Sequence, residues 1–203
     1  MDRGDLEGTT PIAANERAIT VAPEVVHLSR FARNYKLYAD DVITTRVGLC
    51  HHNADFAKRL QLGKLAHMWR TVAELLEGTG LDELPEASAQ PANVMQFVLL
   101  PTLKSLLLER ADAGDVQTCV ALCEVLQVIK TDGTTRIPGL SLNLVREWYL
   151  SYIDLLRDMC LFSFASSIIG ACNDSFVGAL NQQSTTYVDC QWILCLFCWH
   201  CCL

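Results

Sequence analysis

The sequence predicts an all-α chain, built as an irregular α-solenoid of stacked helical hairpins. Three observations carry that expectation. Apolar residues recur at three- and four-residue spacing in one segment after another, the pattern of helices with a buried stripe. Alternating strand-type runs are almost absent, and no glycine-rich loop follows a strand. Each predicted hairpin also carries apolar residues on more than one face, as units stacked between neighbours require. No fixed repeat length emerges, so the stack is expected to be irregular.

The composition agrees. A chain of 203 residues suffices for one sizeable domain or one stack of helical repeats. Its 51% hydrophobic and 19% charged residues favour a packed core over disorder. With 16 basic and 23 acidic residues the net charge is −7, and no basic run occurs. Nucleic acid is therefore not an expected partner, because phosphate binding leans on clustered Lys and Arg. The opening MDRGDLEGTTPIAANER has no apolar signal core. No stretch reaches the roughly 20 apolar residues of a spanning helix. A cytoplasmic location with reduced thiols is expected. Cys50, Cys119, Cys123, Cys160 and Cys172, set among apolar neighbours, read as buried core thiols. In that setting Arg3-Gly4-Asp5 is a chance integrin-like triplet, and Asn173-Asp174-Ser175 is not a glycosylation site.

Residues 1–23 are polar, broken by Pro11 and Pro23, and form a flexible lead-in to a solenoid over 24–186. Glu24 to Leu37 carries Val25, Val26, Leu28, Phe31 and Ala32 at near-helical spacing, which predicts a short helix. Asp40 and Asp41 then precede Val42, Ile43, Val47, Cys50, Ala54 and Ala57. Carboxylates there suit the unpaired N–H groups and positive dipole of a helix start. Gly63 is the expected stop. A second helix carries Leu65, Met68, Trp69, Val72, Leu75 and Leu76 and should stop at Gly78, closing a helical hairpin.

The polar segment at 78–93, with Pro85 and Pro91, reads as the main linker. Apolar residues resume from Val94 to Leu108 around Pro101, which predicts a short helix, a kink, and a second helix to about Ala113. Gly114-Asp115 is a stop and a start. Val116, Cys119, Val120, Cys123, Leu126 and Val128 mark the next helix, running to about Ile129, and 131–139 is a loop. Ser141 opens the clearest helix, with Leu142, Val145, Trp148, Tyr149, Tyr152, Leu155, Leu156 and Met159 on its apolar face. Arg146, Glu147, Asp154, Arg157 and Asp158 lie opposite. Two short helices, Phe162 to Cys172 and Phe176 to Leu180, complete the series.

Chemistry is sparse. Cys50, His51 and His52 are adjacent, and adjacent helix positions point about 100° apart, so the three do not converge on one ion. A polar face or a helix crossing is the expected role. Asp40-Asp41 and Asp154 with Asp158 read as a helix start and a solvated face, not as acid–base pairs. Trp148, Tyr149 and Tyr152 sit at core spacing, which favours packing over an interface anchor. No serine or cysteine occupies a nucleophile-elbow context. No catalytic residue is expected.

Two stretches go beyond pattern, residues 49–76 and 151–190, with Gly114 to Gln117 between them. The phrases HNADFAK, GDVQT, WYLSYIDLL and LNQQSTT, in that order, resemble the region after the propeller in the WD repeat-containing protein 24 family of GATOR (SEACAT-type) complex subunits. The resemblance covers most of residues 25–190. It implies a non-enzymatic scaffold in an amino-acid-sensing assembly that promotes TOR kinase signalling. It implies other WD-repeat GATOR subunits as partners, with peripheral association to the lysosomal or vacuolar membrane through the complex. The family also carries a WD-repeat propeller and a zinc-binding RING-type domain. No propeller sequence precedes residue 25, and the ubiquitin-ligase role of a RING domain is not expected of this chain.

The resemblance also bears on the Cys-rich apolar tail, 187–203, where five of the ten cysteines fall within the last 14 residues. In the family the position of Cys190 opens the zinc domain, with the next ligand three residues on; here that residue is Ile193. Cys195 and Cys198 have zinc-knuckle spacing, with His200 close by. A closed site needs a second ligand pair from further along, so a splice or gene-model boundary after Asp189 or Cys190 is the expectation, with no zinc held. The rival reading is a zinc-binding or lipid-anchored protein acting through Cys190, Cys195, Cys198 and His200.

Overall fold

A computed structural model of the chain describes residues 28–79 and 94–183. Among these residues the helices are α1 (Leu28–Asn34), α2 (Arg46–Arg59), α3 (Gly63–Thr79), α4 (Val94–Asp112), α5 (Val116–Leu126), α6 (Leu142–Asp158), α7 (Phe162–Ala171), α8 (Ser175–Gly178) and α9 (Leu180–Gln183). Among the described residues the fold is all-α, with an isolated antiparallel bridge between Ile129 and Thr135. The expected lead-in at 1–23, the tail from 187 and residues 80–93 of the linker expected at 78–93 lie outside the described residues.

Helices adjacent in sequence are adjacent in space. α2 packs on α3, α4 on α5, α5 on α6 and α6 on α7, while α2 also returns to α5. The α2–α3 pair is an antiparallel hairpin: His51 faces Glu77 and Asp55 faces Arg70 across it. α1 docks on this hairpin through aromatic rings. Phe31 and Tyr35 meet Phe56 edge-on, and Trp69 lies edge-on to Tyr35 at 5.6 Å while its Nε1 donates to the Tyr35 hydroxyl at 3.1 Å. Fully buried Asn53 fastens the chain after α1, donating to the Lys36 carbonyl at 3.0 Å and accepting from the Lys36 N–H at 2.9 Å.

Several boundaries differ from the sequence reading. Asp40 and Asp41 do not open α2. Asp40 Oδ1 accepts from the nearer Val42 and Ile43 N–H groups at 3.0 and 2.8 Å, closing a turn, and Lys36 donates to its other oxygen at 2.6 Å. The helix begins at Arg46, where Thr45 Oγ1 accepts from the Gly48 N–H. Val42, 88% exposed, thus lies off the apolar face. Gly63 starts α3 and does not end α2. The left-handed turn residue is Gln61, at φ 63°, and the Leu62 N–H reaches back to the Ala57 carbonyl at 3.0 Å. α3 continues through Gly78 to Thr79.

Pro101 does not divide the fourth segment; α4 is one helix through it. A proline removes one main-chain donor, and the buried side chains of Leu99, Leu100, Leu103 and Leu107 hold the helix on both sides. Gly114, at φ 75°, ends that segment, and Asp115 caps α5 by accepting from the Thr118 N–H at 3.1 Å. α5 stops at Leu126, short of Ile129, because Gln127 takes the left-handed conformation at φ 49°. On α6, Ile153 joins the buried face, whereas Met159 follows the helix and is 38% exposed. The segment expected as one helix from Phe176 to Leu180 is split between α8 and α9. Cys50, Cys119 and Cys123 are buried as expected, Cys172 only half so, and Cys160 is exposed in the α6–α7 turn.

Every residue from Gln117 to Leu126 is buried, which makes α5 the centre of one continuous core. Two substitutions probe this framework. Pro101→Ala, at an exposed position, restores a donor and should raise the free energy of unfolding by about 1–3 kcal/mol in urea titration. Asn53→Ala leaves the Lys36 main-chain groups without their partner and should cost about 1–3 kcal/mol in the same assay.

Candidate functional site

The C-terminal end of α5 also borders a polar recess. VQTCVALCEVL, the sequence of α5, has so few polar residues that the helix is apolar nearly all round, and such a helix is buried. Glu124 is consequently taken inside with it, at 8% exposure. Its Oε1 accepts from the Tyr149 hydroxyl of α6 at 2.6 Å, and Tyr38 lines the same recess.

Around this group lies a cavity of about 380 Å³. The connection between α1 and α2 forms one wall, with Tyr38 and Arg46; the end of α5 and Tyr149 form the floor; Asn173 closes the side after α7. Two long-range bonds hold the rim. Arg46 Nη2 donates to Gln127 Oε1 at 2.9 Å, and Asn173 Nδ2 donates to the Ile129 carbonyl at 3.1 Å. Burial pushes the Glu124 carboxyl above its ordinary 4.5, against the hydrogen bond from Tyr149. Burial, and then the facing carboxylate, drive both tyrosines far above their ordinary value, so they remain donors.

A second charged group pins α8 to α6. Asp174, 1% exposed in its side chain, receives Arg146 Nε and Nη2 at 3.0 and 2.8 Å on one oxygen, and the Phe176 and Val177 N–H groups on the other. Burial raises the Asp174 carboxyl, but Arg146 and the two main-chain donors outweigh it and hold the group below its ordinary 3.8. This is an anchor between helices, with the carboxylate saturated by donors.

The residues singled out in the sequence do not converge. Cys50 is fully buried, while His51 turns outward to Glu77 Oε1 at 3.2 Å and His52 lies 3.2 Å from the Asn34 carbonyl. Among the described residues, no group of three His, Cys, Asp or Glu side chains is placed to hold a metal ion. Cys190, Cys195, Cys198 and His200 lie outside the described residues. Trp148, Tyr149 and Tyr152 are all buried in the core. Asp154 and Asp158 are exposed, with Asp154 3.5 Å from Arg157. Burial pushes the Cys50, Cys119 and Cys172 thiols up to about 12, which keeps them protonated and weakly nucleophilic at neutral pH. Glu124 and Gln117 were not legible as buried groups from the apolar stripe; the small share of polar residues in α5 was the available signal.

No protein-family model matches the chain. Over 92 residues, 45% of its length, the chain is 33% identical to the GATOR2 complex protein WDR24 of Gallus gallus. This stretch is WDR24-like. Identity to WDR24 is 35% over 93 residues in Danio rerio and 26% over 94 residues in Dictyostelium discoideum. The match spans 12%, 11% and 9% of those three WDR24 proteins, so the matched stretch corresponds to roughly a tenth of their length. The resemblance read from the short phrases is thereby shown, over a narrower share of the chain than residues 25–190.

The Glu124 environment sets a pH dependence. A carboxyl raised on folding binds its proton more tightly in the native state. Its contribution is therefore complete below 4.5 and is lost as pH rises through the folded value. Urea midpoints measured from pH 4.5 towards neutrality should show this declining component, and Glu124→Gln should remove it. Asp174 acts in the opposite sense, losing its contribution as pH falls below 3.8.

Proposed function

We propose that the chain is a non-enzymatic scaffold segment of a GATOR-type complex, acting in amino-acid sensing that promotes TOR kinase signalling. The observation that carries this reading is the WDR24 match, since those relatives are GATOR2 complex proteins. The all-α architecture supports it. A stack of helices offers broad outer faces for partner subunits, and Val42, Val98 and Phe176 expose apolar surface there, at 88%, 50% and 56%. The buried, protonated thiols support a non-catalytic role. Other WD-repeat subunits are the proposed partners. Through them the chain would work in the cytoplasm and at the lysosomal or vacuolar membrane surface; no described helix is long and apolar enough to cross a membrane.

The test is affinity capture of the tagged chain from cells, with partners identified by mass spectrometry. Other GATOR-type WD-repeat subunits are the expected yield. A reproducible set of unrelated proteins would sink the assignment, and chaperones alone would show that this segment does not dock without the rest of its protein. Stoichiometric zinc in the purified chain, lost when Cys195 and Cys198 are replaced, would move the function to the tail.

A further inference from the structure

We propose that the Glu124 cavity is a binding site for a small alkylammonium cation, received by the Glu124 carboxylate between Tyr38 and Tyr149. Three observations lead there. The first is space. A recess of about 380 Å³ falls at the lower end of the range for small-molecule sites, roughly 300–1,000 Å³.

The second is an unspent acceptor. An ionised carboxylate accepts about four hydrogen bonds. The Tyr149 hydroxyl supplies one of them, and the carboxyl lines the cavity with acceptor capacity to spare. The third is charge. A carboxylate taken out of water needs a compensating cation or a proton. Among the described residues, Glu124 has the neutral phenol of Tyr149 as its side-chain partner, and no ion pair reaches it. Arg46, the basic residue of the lining, is directed by its Nη2 to Gln127 at the rim. Asp174 shows how the same fold treats a carboxylate that is complete: a bidentate guanidinium and two main-chain donors saturate it.

The chemistry selects the ligand class. A primary ammonium brings three donors and a positive charge to an acceptor already flanked by neutral donors. The rings of Tyr38 and Tyr149 in the lining suit a cation and its short alkyl chain. An anion is disfavoured by the carboxylate, and a neutral alcohol of equal size offers one donor and no charge.

The test is an NMR titration of the full 203-residue chain with n-butylammonium chloride near neutral pH, alongside 1-butanol of the same length. Saturable shifts confined to the surroundings of Glu124, Tyr38, Tyr149 and Gln127 are expected for the ammonium and not for the alcohol. Glu124→Gln, which keeps the shape and removes the charge, should weaken the ammonium by about tenfold or more. Tyr38→Phe, at a half-exposed position, should weaken it less and serves if the first variant does not fold. Equal response to ammonium and alcohol, absence of saturable shifts, or unchanged affinity in Glu124→Gln would each overturn the assignment. The ammonium–alcohol comparison needs no variant, so it decides the matter on the native chain alone.

Discussion

Burial of one short helix on every side is the constraint on which this structure rests. Each side chain of α5 from Gln117 to Leu126 is inside, so each polar atom it carries needs a partner inside as well. Gln117 donates to the Leu28 carbonyl of α1 at 3.4 Å and to the Tyr152 hydroxyl of α6 at 3.0 Å. The Cys119 thiol reaches the Leu107 carbonyl of α4 at 3.5 Å, and Glu124 takes Tyr149 of α6. Apolar burial supplies the driving force but has no direction. These few bonds do have direction, and they set the register of three surrounding helices against the fourth.

The helix ends follow a related economy. Gln61, Gln127 and Cys160 adopt left-handed backbone angles at the close of α2, α5 and α6, in positions where glycine is the usual choice. After each of them the next N–H returns to a carbonyl five residues earlier: Leu62 to Ala57, Val128 to Cys123, Leu161 to Leu156. A non-glycine residue tolerates this backbone when the following apolar side chain is drawn into the core. Val128 and Leu161 are buried there and Leu62 is partly so. Short connections then become available, and short connections keep sequence neighbours packed together. Gln127 serves twice, since its amide oxygen also receives Arg46 from the start of α2.

The two buried carboxylates show how one environment yields different roles. Asp174 meets a guanidinium and a helix N-terminus, and becomes a fixed joint between α6 and α8. Glu124 meets the Tyr149 phenol and borders an open recess. A scaffold of the GATOR type and a small-cation pocket are compatible in one molecule. The outer helix faces and the recess beside α5 use different residues.

The all-α class, the order of the helices, the packing role of Trp148, Tyr149 and Tyr152, and the Gly114-Asp115 junction are all legible in the linear pattern. All of these follow from local spacing or local backbone preference, which a single segment carries within itself. The WDR24 likeness was legible too, through short phrases such as HNADFAK read in order along the chain. What only the tertiary structure decided is where competing local signals are resolved. Asp40 and Thr45 are both good caps; Asp40 is taken up by the Val42 and Ile43 N–H groups of its own turn, and Thr45 caps the helix. Pro101 is a helix breaker, and the leucines packed on both of its sides overruled it. Glu124 reads as surface on a helical wheel drawn for α5 alone. The low polar content of α5 signals that the helix is buried, but which residues surround Glu124 is decided by the packing of α2, α4 and α6 around it, which no one helix carries within itself.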